Sequence, residues 1–204
     1  MYALVEDNNI TQIITNPKTM VIGDVRYPAK IFQLWSQSEL NAIGIYEVIT
    51  DSSNFKDEKW YINTNESYAF ADNQVTRSWG TATPKAHADS NAVDDDGNNI
   101  LDDDGNQVIN YGLKTQLIKT IKQQASGLLA PTDWYVVKAS EVSDYSVPTN
   151  IATYRASVRT KSNEMETAIT NASDTPALET LYTYTEQEDG SVTRPLGELP
   201  TLEI

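Results

Sequence analysis

Leu113-Lys114-Thr115-Gln116-Leu117-Ile118-Lys119-Thr120-Ile121-Lys122-Gln123-Gln124-Ala125-Ser126-Gly127-Leu128-Leu129-Ala130-Pro131-Thr132-Asp133-Trp134 is the stretch on which the fold turns. Leu113, Leu117, Ile121 and Ala125 recur every fourth residue with Ile118 beside them, while Lys114, Lys119 and Lys122 fall elsewhere. That is one apolar stripe of an amphipathic helix. Gly127 is placed to cap it, with Leu128-Leu129 folding back on the last turn. Pro131-Thr132-Asp133-Trp134 then reads as a turn and Tyr135-Val136-Val137 as a short extended piece. Pro148 suits the opening of a second helix. Along that helix Ile151, Tyr154, Val158, Met165 and Ile169 share a stripe interrupted at Lys161-Ser162. Two such helices joined by a Trp-bearing turn predict an α-hairpin domain over residues 113–185.

Beyond it, residues 176–184 suggest one more short helix, and Asp189-Gly190 a turn. Residues 186–204 read as an extended, proline-punctuated tail that a partner could order as an arm.

Working back towards residue 1, the pattern changes from a period near 3.6 to a period of two. Tyr2 and Leu4, then Ile10 and Ile13, flank the polar cluster Glu6-Asp7-Asn8-Asn9 and predict a hairpin. Ser36-Gln37-Ser38-Glu39 fits a capping box, with Leu40 and Ile43 facing inward and Gly44 ending the helix in the left-handed region. Trp35 is expected to pack beneath this unit. Ile45-Tyr46-Glu47-Val48-Ile49 resumes as a strand. Three further strands, Trp60-Tyr61-Ile62, Tyr68-Ala69-Phe70 and Val75-Thr76-Arg77-Ser78-Trp79, are expected to form an antiparallel meander.

Between these regions, Asp94-Asp95-Asp96-Gly97-Asn98 is repeated eight residues later as Asp102-Asp103-Asp104-Gly105-Asn106. With little apolar surface, residues 85–112 read as an acidic linker or exposed hairpin. The expected fold class is therefore α+β: a small antiparallel β-rich domain with one short helix over 1–84, the acidic connector, the helical hairpin domain and the tail.

Composition narrows the function. The 204 residues carry a formal charge of −14, and no basic stripe reverses it locally, so nucleic acid and anionic lipid are poor partners. No apolar run is long enough for a bilayer, and Met1-Tyr2-Ala3-Leu4-Val5-Glu6 lacks the pattern of a secretory signal. The 39% apolar content, with four Trp and eleven Tyr, is sufficient for a core. Absence of cysteine excludes thiol catalysis, disulfides and cysteine-based zinc sites.

Leu128-Leu129-Ala130-Pro131-Thr132-Asp133-Trp134, followed by Pro148 and Tyr154-Arg155-Ala156-Ser157-Val158-Arg159, resembles a region of the tail-fibre assembly and tail accessory proteins of tailed bacteriophages. In that family a helix ends in a leucine pair, a T-D-W turn follows, and the next helix carries Y-R-x-x-[LV]-R. The resemblance spans residues 113–169. It departs at Ile151-Ala152-Thr153, where the family often has a Trp, and at Val136-Val137-Lys138 in place of L-P-D. It therefore implies a tail accessory protein more than the narrower fibre chaperone. What it implies is a non-enzymatic virion component at the tail, baseplate or fibre attachment region. Such a component is assembled in the host cytoplasm and held in symmetric multiple copies against other tail or fibre proteins. A fibre-assembly chaperone and a capsid decoration protein are the alternatives.

Trp134, Tyr154, Arg155 and Arg159 are the expected partner-binding residues, because Trp, Tyr and Arg dominate interface hot spots. The bland alternative is intramolecular, with Trp134 plugging the hairpin and Asp133 pairing with Arg155 or Arg159. The acidic repeats offer Asp94, Asp96, Asp102 and Asp104 as calcium ligands, though the spacing departs from the twelve-residue calcium loop and a solvated acidic loop is favoured. His87, the lone histidine, reads as an exposed loop residue. Neither G-x-S-x-G nor G-x-x-x-x-G-K occurs, no pair of carboxylates stands out as catalytic, and no cofactor is expected. The stripe over 151–169 could form an oligomer seam, with packing inside the chain preferred.

Overall fold

The computed structural model describes residues 1–202 and divides the chain into two compact units, one of residues 1–83 and one beginning at Pro84. The fold class is α+β.

In the first unit, β1 (Tyr2–Glu6) and β2 (Asn9–Ile14) form the expected hairpin. Asp7 and Asn8 both adopt positive φ, 49° and 62°, which short polar side chains tolerate and which matches the twist of the strands. After the small hairpin of β3 (Met20–Ile22) and β4 (Val25–Tyr27) come two short helices, α1 (Ile31–Leu34) and α2 (Gln37–Asn41), where one was expected. The capping box is present: Glu39 Oε2 accepts from Ser36 N–H at 2.7 Å while Ser36 Oγ accepts from Glu39 N–H. The Ser36 hydroxyl, donating to Glu39 Oε2 at 2.7 Å, and then the Ser36 N–H lower the Glu39 carboxyl from its ordinary value. Trp35 does not lie beneath the unit. It is 37% exposed and stands edge-on to Tyr27, with ring centroids 5.8 Å apart.

Strands β5 (Ile45–Thr50), β6 (Tyr61–Ile62), β7 (Ser67–Ala71) and β8 (Gln74–Ser78) follow. The meander expectation holds for its second and third strands, β7 and β8, which pair antiparallel, and fails at its first, β6. The sheet order is β2-β1-β5-β8-β7, with β5 and β8 parallel, Val48 opposite Val75. Tyr61–Ile62 stands outside this sheet, paired with β9 (Thr83–Pro84) where the unit ends. The unit is thus a mixed sheet, not an antiparallel one. Its outer strands β2 and β7 approach each other, so the sheet curls round one core. Alternation in β1 separates the two faces. Ala3 and Val5 join Val75, Tyr46 and Phe70 on the inner side, while Tyr2 and Leu4 join Ile14, Ile31, Leu40 and Ile45 on the other. Each large side chain buried here contributes roughly 1.5–3 kcal/mol.

In the second unit the acidic stretch is neither a linker nor a single hairpin. β10 (Ser90–Asn91) and β11 (Ile109–Asn110) pair antiparallel as a stem. Two arms branch from it, closed by the bridges Val93 to Asn99 and Leu101 to Gln107. Three backbone bonds run in a ring at the branch: Ala92 N–H to Val108 O, Val108 N–H to Ile100 O, and Ile100 N–H to Ala92 O. The Gln107 amide Nε2 donates toward all three of those carbonyls at 2.8 to 3.2 Å, which ties the junction together. At each arm tip Gly97 or Gly105 takes a positive φ, 85° and 82°. The stretch is also fastened to the next helix: Asp89 accepts from Gly112 N–H and the Thr115 hydroxyl, and the Ala86 and His87 carbonyls accept from Leu113 and Lys114 N–H. His87 is half-buried in this cap, not free in a loop.

Then come α3 (Leu113–Leu129), a 3-10 turn (Ala130–Thr132), α4 (Asp133–Glu141), α5 (Thr149–Asn171) and α6 (Thr175–Tyr182). α3 runs straight through Gly127, so that residue is no cap. Tyr135-Val136-Val137 is helical, not extended. α5 is unbroken at Lys161-Ser162. Ser162 is buried beside Ile151, Val158, Met165 and Ile169, its hydroxyl 3.2 Å from Glu166 Oε1. The stripe packs within the chain, as α3 and α5 lie together.

The expected tail is folded from residue 185. β12 (Thr185–Glu186) and β13 (Val192–Thr193) form a hairpin, Leu196 is 2% exposed, and Leu199 and Leu202 pack against Ala125, Tyr154 and Val158. Residues 203 and 204 of that expected tail lie outside the described residues. No helix among the described residues is long and apolar enough to cross a membrane.

Candidate docking surface

The corner between α3 and α4 is built by α5. An α-helix leaves its last carbonyls without intrahelical donors. Here Tyr154 Oη donates to Leu128 O at 3.3 Å and Arg155 Nη1 to Leu129 O at 2.9 Å. The same guanidinium donates to Thr132 Oγ1 at 2.6 Å and pairs with Asp133 Oδ1 at 2.7 Å. Thr132 is buried, and its hydroxyl in turn donates to Leu129 O. Arg155 therefore grips both sides of the 3-10 turn and sets the direction in which α4 leaves. Asp133 also stands in the first turn of α4 and Lys138 in the last, each the favourable sign for the helix dipole.

What the corner presents is a helix with no buried side chain among the described residues. Trp134 is 51% exposed, and Val136, Val137 and Val142 are exposed with it. The Trp134 and Tyr135 rings lie 3.9 Å apart between centroids, inclined by 33°. Lys138 Nζ sits 5.7 Å from the Trp134 ring and 4.3 Å from the Tyr145 ring, placing a cation between two aromatic faces. Large side chains of this kind normally seek the interior, so the exposed group on and just past this helix is the candidate contact surface.

The four expected partner-binding residues therefore separate. Trp134 does not plug the hairpin, and faces solvent. Tyr154 and Arg155 point inward and hold the corner, as the intramolecular alternative had it. Arg159 is exposed, with Nη1 3.5 Å from Arg155 O. Sequence reasoning missed Val136, Val137, Lys138, Val142 and Tyr145. The inward direction of Tyr154 and Arg155 was available, since both adjoin the stripe of Ile151 and Val158.

The carboxylates proposed for calcium are not gathered. Asp94 Oδ1 accepts from Asp96 and Asn98 N–H at 3.0 and 2.8 Å, and Asp102 Oδ1 does the same for Asp104 and Asn106. Each carboxyl is held below its ordinary range chiefly by the bond from its asparagine amide. No group of three or more His, Cys, Asp or Glu side chains among the described residues is placed to hold a metal ion.

Fold and surface define an α+β protein with exposed apolar side chains grouped on one short helix. No family model matches the chain, and no curated protein or solved structure matches it either.

Proposed function

We propose that the protein is a structural component of a tailed-bacteriophage virion, seated at the tail, baseplate or fibre attachment region and acting by protein–protein contact without catalysis. The observation that carries this reading is α4. It projects Trp134, Val136 and Val137 into solvent, with Val142 just past its end, on a corner that Arg155 fastens. A rigid aromatic anchor beside a cation gives much contact area at little cost in side-chain entropy. The leucine pair, T-D-W turn and Y-R-x-x-V-R helix of the sequence add the phage tail setting, and with it other tail or fibre proteins as partners and several copies about a symmetry axis.

Mass spectrometry of purified virions tests it. The protein should be present at a fixed stoichiometry of a handful to dozens per particle, and particles made with Trp134→Ala should retain much less of it. Absence from purified particles would refute a structural role.

A further inference from the structure

The groove between α3 and α5 is already occupied by a segment of its own chain, and that occupancy defines what it accepts. Residues 195–202 read Pro-Leu-Gly-Glu-Leu-Pro-Thr-Leu, with leucine at 196, 199 and 202. The segment opens with a turn, in which Gly197 takes a φ of +71° and its N–H returns to Arg194 O, so Leu196 is set apart from Leu199 and Leu202. Leu199 and Leu202 rest against Ala125, Tyr154 and Val158, at the junction of the two helices.

The way this strap is held is unusual. The polar contacts of its central part are with the chain just before it: Gly197 N–H donates to Arg194 O, Arg194 Nε to Gly197 O, Arg194 pairs with Glu198 at 2.7 Å, and the Tyr184 hydroxyl donates to Glu198 Oε1 at 2.7 Å. Leu196 N–H reaches Leu181 O at 3.0 Å. Its hold on α3 and α5 is through Leu199 and Leu202, with the Lys161 side chain of α5 lying close against Gly197. Open space flanks it on both sides, a cavity of about 370 Å³ that includes Gln124, Gly127 and Leu128, and a groove of about 530 Å³ that includes Ala156, Ser157 and Thr160. The tether to it is the hairpin of β12 and β13, two residues per strand and exposed throughout. An isolated two-stranded hairpin is marginal in water, so opening it costs little. Its eleven residues, 183–193, would then reach roughly 36 Å at about 3.3 Å per residue.

We infer that the strap is exchangeable: the α3/α5 groove of one copy takes the segment bearing Leu199 and Leu202 of a second copy, linking the chains arm to groove. Every chain carries both halves of the contact. Exchange re-forms the same leucine contacts in the partner and gives up the hairpin, the bond from Tyr184 to Glu198 and the freedom of a separate molecule, and swapped elements are a low-cost route to assembly. Tethering favours the closed form in dilute solution, and crowding of copies shifts the balance to the exchanged one. This inference goes beyond the proposed virion role and stands or falls separately from it.

Because the chain has no cysteine, single thiols report the contact cleanly. Gln124 and Glu198 line one cavity, and Gln124 is exposed. A chain with both Gln124→Cys and Glu198→Cys, treated with a flexible bismaleimide when dilute, should close on itself, which reports a seated strap. A size-tagged Gln124→Cys chain and an untagged Glu198→Cys chain are then mixed and concentrated before cross-linking. The expected result is a product at the combined mass of one tagged and one untagged chain. It should outweigh the products of either chain alone and vanish when Leu199→Asp and Leu202→Asp are added to the untagged chain. Cross-linking only within the doubly substituted chain, with no mixed product at any concentration, would overturn the inference.

Discussion

Arg155 Nη2 stands 2.7 Å from Asp133 Oδ1, and the two partners differ sharply in exposure, 8% for the arginine side chain and 59% for the aspartate. The pair is therefore asymmetric in what each member holds. Arg155 also serves Leu129 O and Thr132 Oγ1, while Asp133 faces water on its other side. Arg155→Met should destabilise the helical unit by about 2–3 kcal/mol, the scale of lost hydrogen bonds to a charged group. Asp133→Asn should cost less than about 1 kcal/mol, as for a largely exposed ion pair. Urea unfolding followed by helical circular dichroism gives both numbers. Equal losses would mean that Arg155 works only through the ion pair.

Trp134→Ala should behave in the opposite way. An exposed side chain whose ring contact is to its sequence neighbour Tyr135 contributes little to folding. Its removal should change stability by no more than about 0.5 kcal/mol. Retention on the virion should fall all the same. A large loss of thermal stability in this variant would assign Trp134 to the fold instead of to docking.

The two halves of that contrast were unequally legible in the sequence. Local signals read well: Asp7-Asn8 as a tight turn, Ser36 to Glu39 as a capping box, and Ile151, Val158, Met165 and Ile169 as one buried stripe. Each is fixed by a few adjacent residues. The parallel pairing of β5 with β8 was not legible, because a strand alternates with the same period whichever way its neighbour runs. Val136-Val137 favours a strand by propensity. It is helical here, in a chain that Arg155, far along the sequence, holds at both sides of the 3-10 turn. Gln107 gave no signal at all, since the three carbonyls that it joins converge only when both arms have folded.

The acid response of the two arms follows from their turns. Bonds from Asn98 and Asn106 amides hold the Asp94 and Asp102 carboxyls below the ordinary value, which is about 3.9. For a carboxyl lowered by folding, the stabilising contribution is full above the ordinary value and is lost as pH falls through the lowered one. The arms should thus stay closed at mildly acidic pH and open only below the ordinary aspartate range. Carbon NMR of the Asp94 and Asp102 side chains through a pH titration checks this. Midpoints above the ordinary aspartate value, about 3.9, would contradict it. Asp102→Asn should keep the turn, because an amide oxygen can still accept from Asp104 and Asn106 N–H.

Gly44 supplies the sharpest test of the first unit. Its φ of +82° lies in the left-handed region, and a Cβ there would stand 2.6 Å from Val5 O. Val5 N–H meanwhile donates to Gly44 O at 2.8 Å, so the two backbones are locked at the start of the β1–β5 pairing. Gly23 provides the control, for it has a φ of +56° with nothing within 4 Å of the added atom. Gly23→Ala should cost only the conformational penalty, about 1–2 kcal/mol. Gly44→Ala should exceed that, because the clash is with backbone and must push β5 away from β1, withdrawing Ile45 from Leu4. Thermal unfolding of the two variants in parallel reads the difference directly. Equal losses would show that β5 can shift without disturbing the core, and that the close approach at Val5 is incidental to the fold.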